Sequence, residues 1–209
     1  MNKTQKISET TKMALFIAII VLLAVTPLGY ISLGIINATT IQMPVIIGAI
    51  LFGWKKGAFL GGVFGITSLI KNTVQPNVTS FVFSPFVPVF GEESGSIFAI
   101  IISLLPRIMI GVVAALVFSA LKKAKFDTTV SSAVSAFFGS LANTVLVMGG
   151  IYLFFGESYS AAKNIAYETL MATVSATITG AGITEAIISA AACGTICTAL
   201  IKYTKGKKS

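Results

Sequence analysis

Apolar residues gather in six runs, at about 11–28, 42–53, 57–72, 96–121, 128–154 and 176–203. Polar residues, glycines and prolines collect between them. A bilayer core is about 30 Å thick, and a helix needs roughly 20 apolar residues to cross it. Between four and six of these runs reach that length; the second rises only roughly 20 Å. Runs two and three are separated by Trp54-Lys55-Lys56, which reads as a tight turn between antiparallel helices. The pattern predicts an all-α membrane protein, a single integral membrane domain over 1–209 with six transmembrane helices.

Composition agrees. The chain has 209 residues, 55% hydrophobic and 11% charged, and its mean hydropathy is +0.92. Soluble domains carry about 25% charged residues. The net charge of +8 is sorted by helix end. One set of ends holds Lys3, Lys6, Lys12, Lys55, Lys56, Lys122, Lys123, Lys125, Lys202, Lys205, Lys207 and Lys208. The other set holds only Lys71 and Lys163, with Glu92, Glu93, Glu157 and Glu168. Cytoplasmic loops carry the excess of lysine and arginine. Both termini are therefore expected in the cytoplasm, and the basic balance reports topology rather than a nucleic-acid partner. The N-terminal order of basic segment and apolar core resembles a signal peptide, but its cleavage site is poor and more apolar runs follow, so it reads as a retained first span.

The chemistry that is missing narrows the function. There is no histidine, hence no imidazole base or metal ligand. Gly29 and Gly34 have the spacing of a phosphate-cradling loop, but Ile35 and Ile36 stand where Lys and Ser or Thr are needed. Cys193 and Cys197 lie four apart in one apolar run and read as small buried residues rather than a disulfide. No metal or cofactor is expected, and an enzyme is the poorest reading.

The three connections on the lysine-poor side are unusual. Thr26–Gln42, Thr73–Gly95 and Gly156–Thr173 are long, and the first two are too apolar for solvated loops and too broken for helices. Irregular backbone at membrane depth persists only where it is buried in protein or lines a cavity. These connections are expected to form a lid over a pocket open to the outside.

One arginine, Arg107, sits inside the apolar run IISLLPRIMIGV. A charge there is unfavourable by roughly 2.5–3.5 kcal/mol on insertion scales. Arg107, Asn143 and Glu185 all fall roughly 14–17 Å inside their helices from the outer end, which points to one shared interior site. Asn37, Thr39, Thr40 and Gln42 of the first connection are placed to close over it. So are Asn72, Thr79, Ser80 and Phe83 in and beside the second. Two readings stand together here. Arg107 and Glu185 neutralise each other between helices, or Arg107 holds a ligand carboxylate by a bidentate fork. Phe81, Phe83, Phe86 and Phe90 form a string that suits either a lid or interfacial anchoring. Ala14 and Ala18 make a small-xxx-small face on the first helix, which lets another helix approach closely.

Together these segments resemble the substrate-binding S-component of energy-coupling factor (ECF) vitamin transporters. The resemblance rests on Ala14–Ala18, TTIQMPVIIGAILFGWKKGAFLGGVFGITSLI (39–70), TSFVFSPFVPVFG (79–91), LLPRIMIGVVAALVF (104–118) and NTVLVMGGIYLFFG (143–156). It implies a multi-pass protein of a bacterial cell membrane that binds a vitamin from outside, most like the pantothenate-type members. It also implies partners, a transmembrane coupling protein and two cytoplasmic ATPases, with Ala14 and Ala18 docking on the former. Riboflavin, folate or a pyridoxine form as cargo, and a membrane scaffold without transport, are the alternatives left open.

Overall fold

Glycine and proline decide where these helices turn and how closely they approach. The computed structural model describes residues 3–33 and 36–206; the side chains of 3–6, 8, 30–33, 36–38 and 204–206 lie outside that description. Helix α1 spans Lys3–Val25, α2 Gln42–Phe52, α3 Trp54–Val74, α4 Phe98–Lys123, α5 Thr128–Lys163, α6 Leu170–Thr177 and α7 Ile183–Gly206. A π turn, Ile178–Gly182, joins α6 to α7 without a break. The first connection carries a two-stranded antiparallel hairpin, β1 Tyr30–Leu33 and β2 Ile36–Thr39, with Tyr30 opposite Thr39.

Boundaries differ from the apolar pattern where backbone geometry outweighs hydropathy. The turn between α2 and α3 is made by Gly53 alone, at φ 86°, a conformation that suits a residue without a Cβ. Trp54, Lys55 and Lys56 therefore form the first turn of α3 rather than the loop. There Lys56 pairs with Glu9 of α1. Asp127 starts α5 by accepting the Thr129 amide at 2.7 Å, and that hydrogen bond holds its carboxyl below the usual range. The helix does not stop near 154. It bends at Phe155 (φ −135°, ψ 18°) and runs on to Lys163, where Asn164 caps it in the left-handed conformation. So Gly156–Lys163, expected in a connection, is helical.

Among the described residues, three helical stretches are long and apolar enough to cross a membrane: Phe98–Lys123, Thr128–Lys163 and Tyr167–Tyr203. The apolar helix Gln42–Phe52 is shorter. The pattern had suggested at least four such runs. Polar residues dilute α1 at its start, and lysines and glycines dilute α3.

Helix α3 packs on α4 through small residues. A Cβ at Gly61 would lie 2.2 Å from the Arg107 carbonyl oxygen, and one at Gly111 would lie 2.1 Å from that of Gly57. The Ser103 hydroxyl donates to the Gly65 carbonyl at 3.2 Å. Lipid tails are as apolar as leucine, so close packing and interhelical hydrogen bonds hold such a bundle rather than hydrophobic exclusion. One core cluster, around Ile46, Leu60, Phe64, Ile110 and Ala136, fills the lysine-rich half. Cys193 and Cys197 are buried there as free thiols. A second cluster packs Phe81 and Val82 of the second connection against Ile102, Ile151, Phe155 and Leu170.

Replacing Gly61 by alanine pushes α4 off α3 at the turn that carries Arg107. The expected cost is about 1–3 kcal/mol, as for other overpacked cores, read as a lower midpoint of thermal unfolding in detergent. An unchanged midpoint would mean that the two helices are not in close register.

Candidate functional site

Arg107 is positioned by the residue before it. Pro106 lies inside α4 and has no N–H to give to the carbonyl four residues back. That carbonyl belongs to Ile102, and Arg107 Nη1 donates to it at 3.0 Å. The guanidinium thus occupies the hydrogen-bonding place that the proline left vacant. Its Cζ also lies 5.0 Å from the centre of the Phe83 ring and 5.7 Å from that of Phe64. Rings at that range attract a desolvated cation. Arg107 is 8% exposed.

Glu185 is held differently. Its Oε1 accepts the backbone N–H of Thr39 at 2.8 Å and the Gln42 amide at 3.2 Å. The same Gln42 Nε2 lies 2.9 Å from the hydroxyl oxygens of both Ser140 and Ser189, so its two N–H groups are shared among three acceptors. One buried glutamine therefore ties α2 to α5 and α7 and, through Glu185, to the end of β2. Among the described residues no ion pair joins Arg107 to Glu185. Two buried amide oxygens, Gln42 Oε1 and Asn143 Oδ1, have no hydrogen-bond partner among the described residues, and neither do the hydroxyls of Ser132 and Ser160. Buried polar atoms are nearly always satisfied, so each asks for a reason.

The second connection is stitched to α3. The Ser80 hydroxyl donates to Asn72 Oδ1 at 2.8 Å, and Asn72 Nδ2 donates to the Ser68 carbonyl at 2.9 Å. Asn77 Oδ1 accepts the amide and hydroxyl of Thr79 at 2.9 and 3.0 Å, which closes a local turn beside Ser80. The aromatic string divides. Phe81 is 2% exposed and stands edge-on to Phe155, and Phe83 covers Arg107, whereas Phe86 and Phe90 are exposed.

The structure thus brings Thr39, Gln42 and Glu185 into one network, Arg107 against Phe83, and Asn72 with Ser80 and the Thr79 turn. Thr40 stands apart from the network: its hydroxyl donates to the Leu28 carbonyl, and its amide donates to the Gly29 carbonyl at 3.1 Å. Asn143 sits on α5 one turn beyond Ser140. The backbone of Asn37 pairs with Ser32, and its side chain lies outside the described residues. Ala14 and Ala18 are exposed on α1. Sequence reasoning passed over Ser140, Ser189 and Phe64. The two serines carry a signal: Ser140 is three residues before Asn143 and Ser189 four after Glu185, each on the same helix face as a chosen polar residue.

Comparison with known proteins gives one consistent picture. The model of the family described as ECF transporter, substrate-specific component, matches residues 9–197. The chain is 36% identical to the pantothenic acid transporter PanT of Lactococcus lactis subsp. cremoris (strain MG1363), over 90% of this chain and 95% of that protein. It is 34% identical to the pantothenate transporter PanT of Leuconostoc mesenteroides subsp. mesenteroides, over 56% of this chain and 52% of that one. The fold is similar to the 2.1 Å crystal structure of the S-component for biotin from an ECF-type ABC transporter. The TM-score is 0.53, with 19% identity and 94% of each chain covered.

Gln42→Leu removes the amide that joins three helices and strips donors from Ser140, Ser189 and Glu185. Loss of a buried polar partner costs about 1–3 kcal/mol. The variant should unfold at lower temperature than the native chain, and equal thermal unfolding curves would remove Gln42 from its bridging role.

Proposed function

The chain belongs to the family of ECF-transporter substrate-specific components, which serve vitamin uptake and are not enzymes, and we propose that its cargo is pantothenate. Pantothenate is a small anion with a carboxylate, an amide and hydroxyls. The observation that carries this reading is a buried guanidinium in a bundle that also holds two unsatisfied amide oxygens. Arg107 takes the carboxylate. It is preset by the Ile102 carbonyl and the two phenylalanine rings, so little side-chain freedom is lost on binding. Gln42 Oε1 and Asn143 Oδ1 accept from the ligand's hydroxyl and amide donors. Glu185 is fastened to Thr39 and to Gln42, which ties the end of the hairpin to the helices around the site.

Asn37, Thr39, Thr40, Asn72, Thr79, Ser80 and Phe83 form the walls and lid. The first connection closes from one side, pinned by Thr39 to Glu185. The second closes from the other, pinned by Ser80 to Asn72 and by Phe83 to Arg107. The relatives named as pantothenate transporters support the cargo, because one of them aligns over nearly the whole chain.

In the wider cycle the chain spans a bacterial cell membrane six times with both termini in the cytoplasm. It hands its vitamin onward by docking on a transmembrane coupling protein driven by two cytoplasmic ATPases. The exposed Ala14–Ala18 face of α1 is the docking surface. Small residues one turn apart admit a second helix at close range.

Two outcomes test this. Purified protein should bind pantothenate saturably without ATP and should not bind riboflavin, folate or pyridoxine comparably; saturable binding of a different vitamin would replace the cargo. Ala14→Trp should leave pantothenate binding intact and abolish uptake by the assembled transporter. Uptake at the native rate would move the docking surface elsewhere.

A further inference from the structure

Between α1 and α3 the bundle opens a groove of about 660 Å³. Sites for small molecules run from about 300 to 1,000 Å³. Val21, Val63, Ile66 and Ile70 line its walls, and Lys71 and Gln75 stand where α3 approaches the second connection. Val21, Ile66 and Ile70 are exposed, whereas Phe64 and Ser68 of the same helix are buried. The groove therefore faces outward from the bundle and is separate from the Arg107 and Glu185 region.

Its wall hydroxyls are bonded to their own helices. Thr26 donates to the Leu22 carbonyl at 2.9 Å and Thr67 to that of Phe64 at 2.8 Å. Such back-bonding to the helix satisfies the hydroxyls locally and leaves an apolar wall. The lining has one cation, Lys71, and no acidic residue. A long apolar slot with a single ammonium near one end matches an amphiphile with a negative head. A zwitterionic head brings a second charge that finds no carboxylate in the lining.

We propose that this groove is a binding site for an anionic glycerophospholipid, with an acyl chain between α1 and α3 and the headgroup phosphate at Lys71. The inference rests on the membrane-spanning reading and is independent of the vitamin cargo.

Native mass spectrometry of the delipidated full chain, titrated with phosphatidylglycerol against phosphatidylcholine, tests it. One lysine near a membrane surface supports a preference of about fivefold for the anionic lipid. Lys71→Gln should remove that preference. Thr67→Phe, which fills the slot and leaves no orphan hydroxyl, should lower retention of both lipids. Pantothenate binding, measured on the same samples, should be unchanged in both variants and reports that they are folded. Equal retention of the two lipids by the native chain, or a preference that survives Lys71→Gln, would overturn the proposal. If lipid selection appears and no vitamin binds, the cargo assignment fails while the lipid site stands.

Discussion

A carbonyl released by a proline sets the position of the only arginine in the chain. Pro106 cannot donate to Ile102, and the Arg107 guanidinium donates there instead. Two costs offset each other in this arrangement: a helix interior missing one hydrogen bond, and a cation buried within an apolar helix. The rings of Phe64 and Phe83 then shield the charge from two sides. Phe64 comes from α3, which reaches this depth only because Gly61 lets its backbone touch the Arg107 carbonyl. Phe83 comes from the second connection, which is anchored by Phe81 and Val82 in the upper core. The close α3–α4 packing and the inward fold of that connection are both conditions for holding one charge.

The second device is the buried glutamine. Gln42 is the first residue of α2, directly after the hairpin connection, and its amide reaches α5 and α7. A displacement of the hairpin has to pass through Thr39, Glu185 and Gln42 before it reaches the helices. The breaks in the long helices lie at the same end: the bend of α5 at Phe155 and the π turn at Ile178–Gly182 before α7. Local π turns accompany functional sites in many helices. The lysine-rich half, by contrast, is built from regular helices joined by short turns. Regular packing in one half and interrupted backbone in the other divide the bundle into two mechanically different parts.

Much of this was legible in the chain. The six apolar runs correspond to helical stretches, and the irregular outer connections were readable from proline and glycine in apolar surroundings. What escaped was local backbone chemistry. Gly53 alone makes the turn expected of Trp54-Lys55-Lys56, and α5 runs past its apolar part to an αL cap at Asn164. For the site, depth counting selected Arg107, Asn143 and Glu185 and left open whether Arg107 pairs with Glu185 or holds a ligand carboxylate. The Glu185 carboxylate is committed to a hairpin amide and a glutamine, and the guanidinium to a carbonyl. The adjacency of Pro106 and Arg107 was the readable clue. It identifies the carbonyl four residues before the proline as the arginine's natural partner.

If Arg107 meets a ligand carboxylate, the anion should bind better than its neutral analogue. The most direct measurement compares binding of pantothenate with binding of its alcohol analogue, in which a hydroxymethyl group replaces the carboxylate, to the native chain and to Arg107→Gln. Breaking a buried charge pair costs about 3–5 kcal/mol, which corresponds to about 100-fold or more in affinity. The native chain should prefer the acid by a factor of that order, and the variant should bind acid and alcohol alike. A preference for the acid that is as large in the variant as in the native chain would contradict the account and leave Arg107 a structural element of α4.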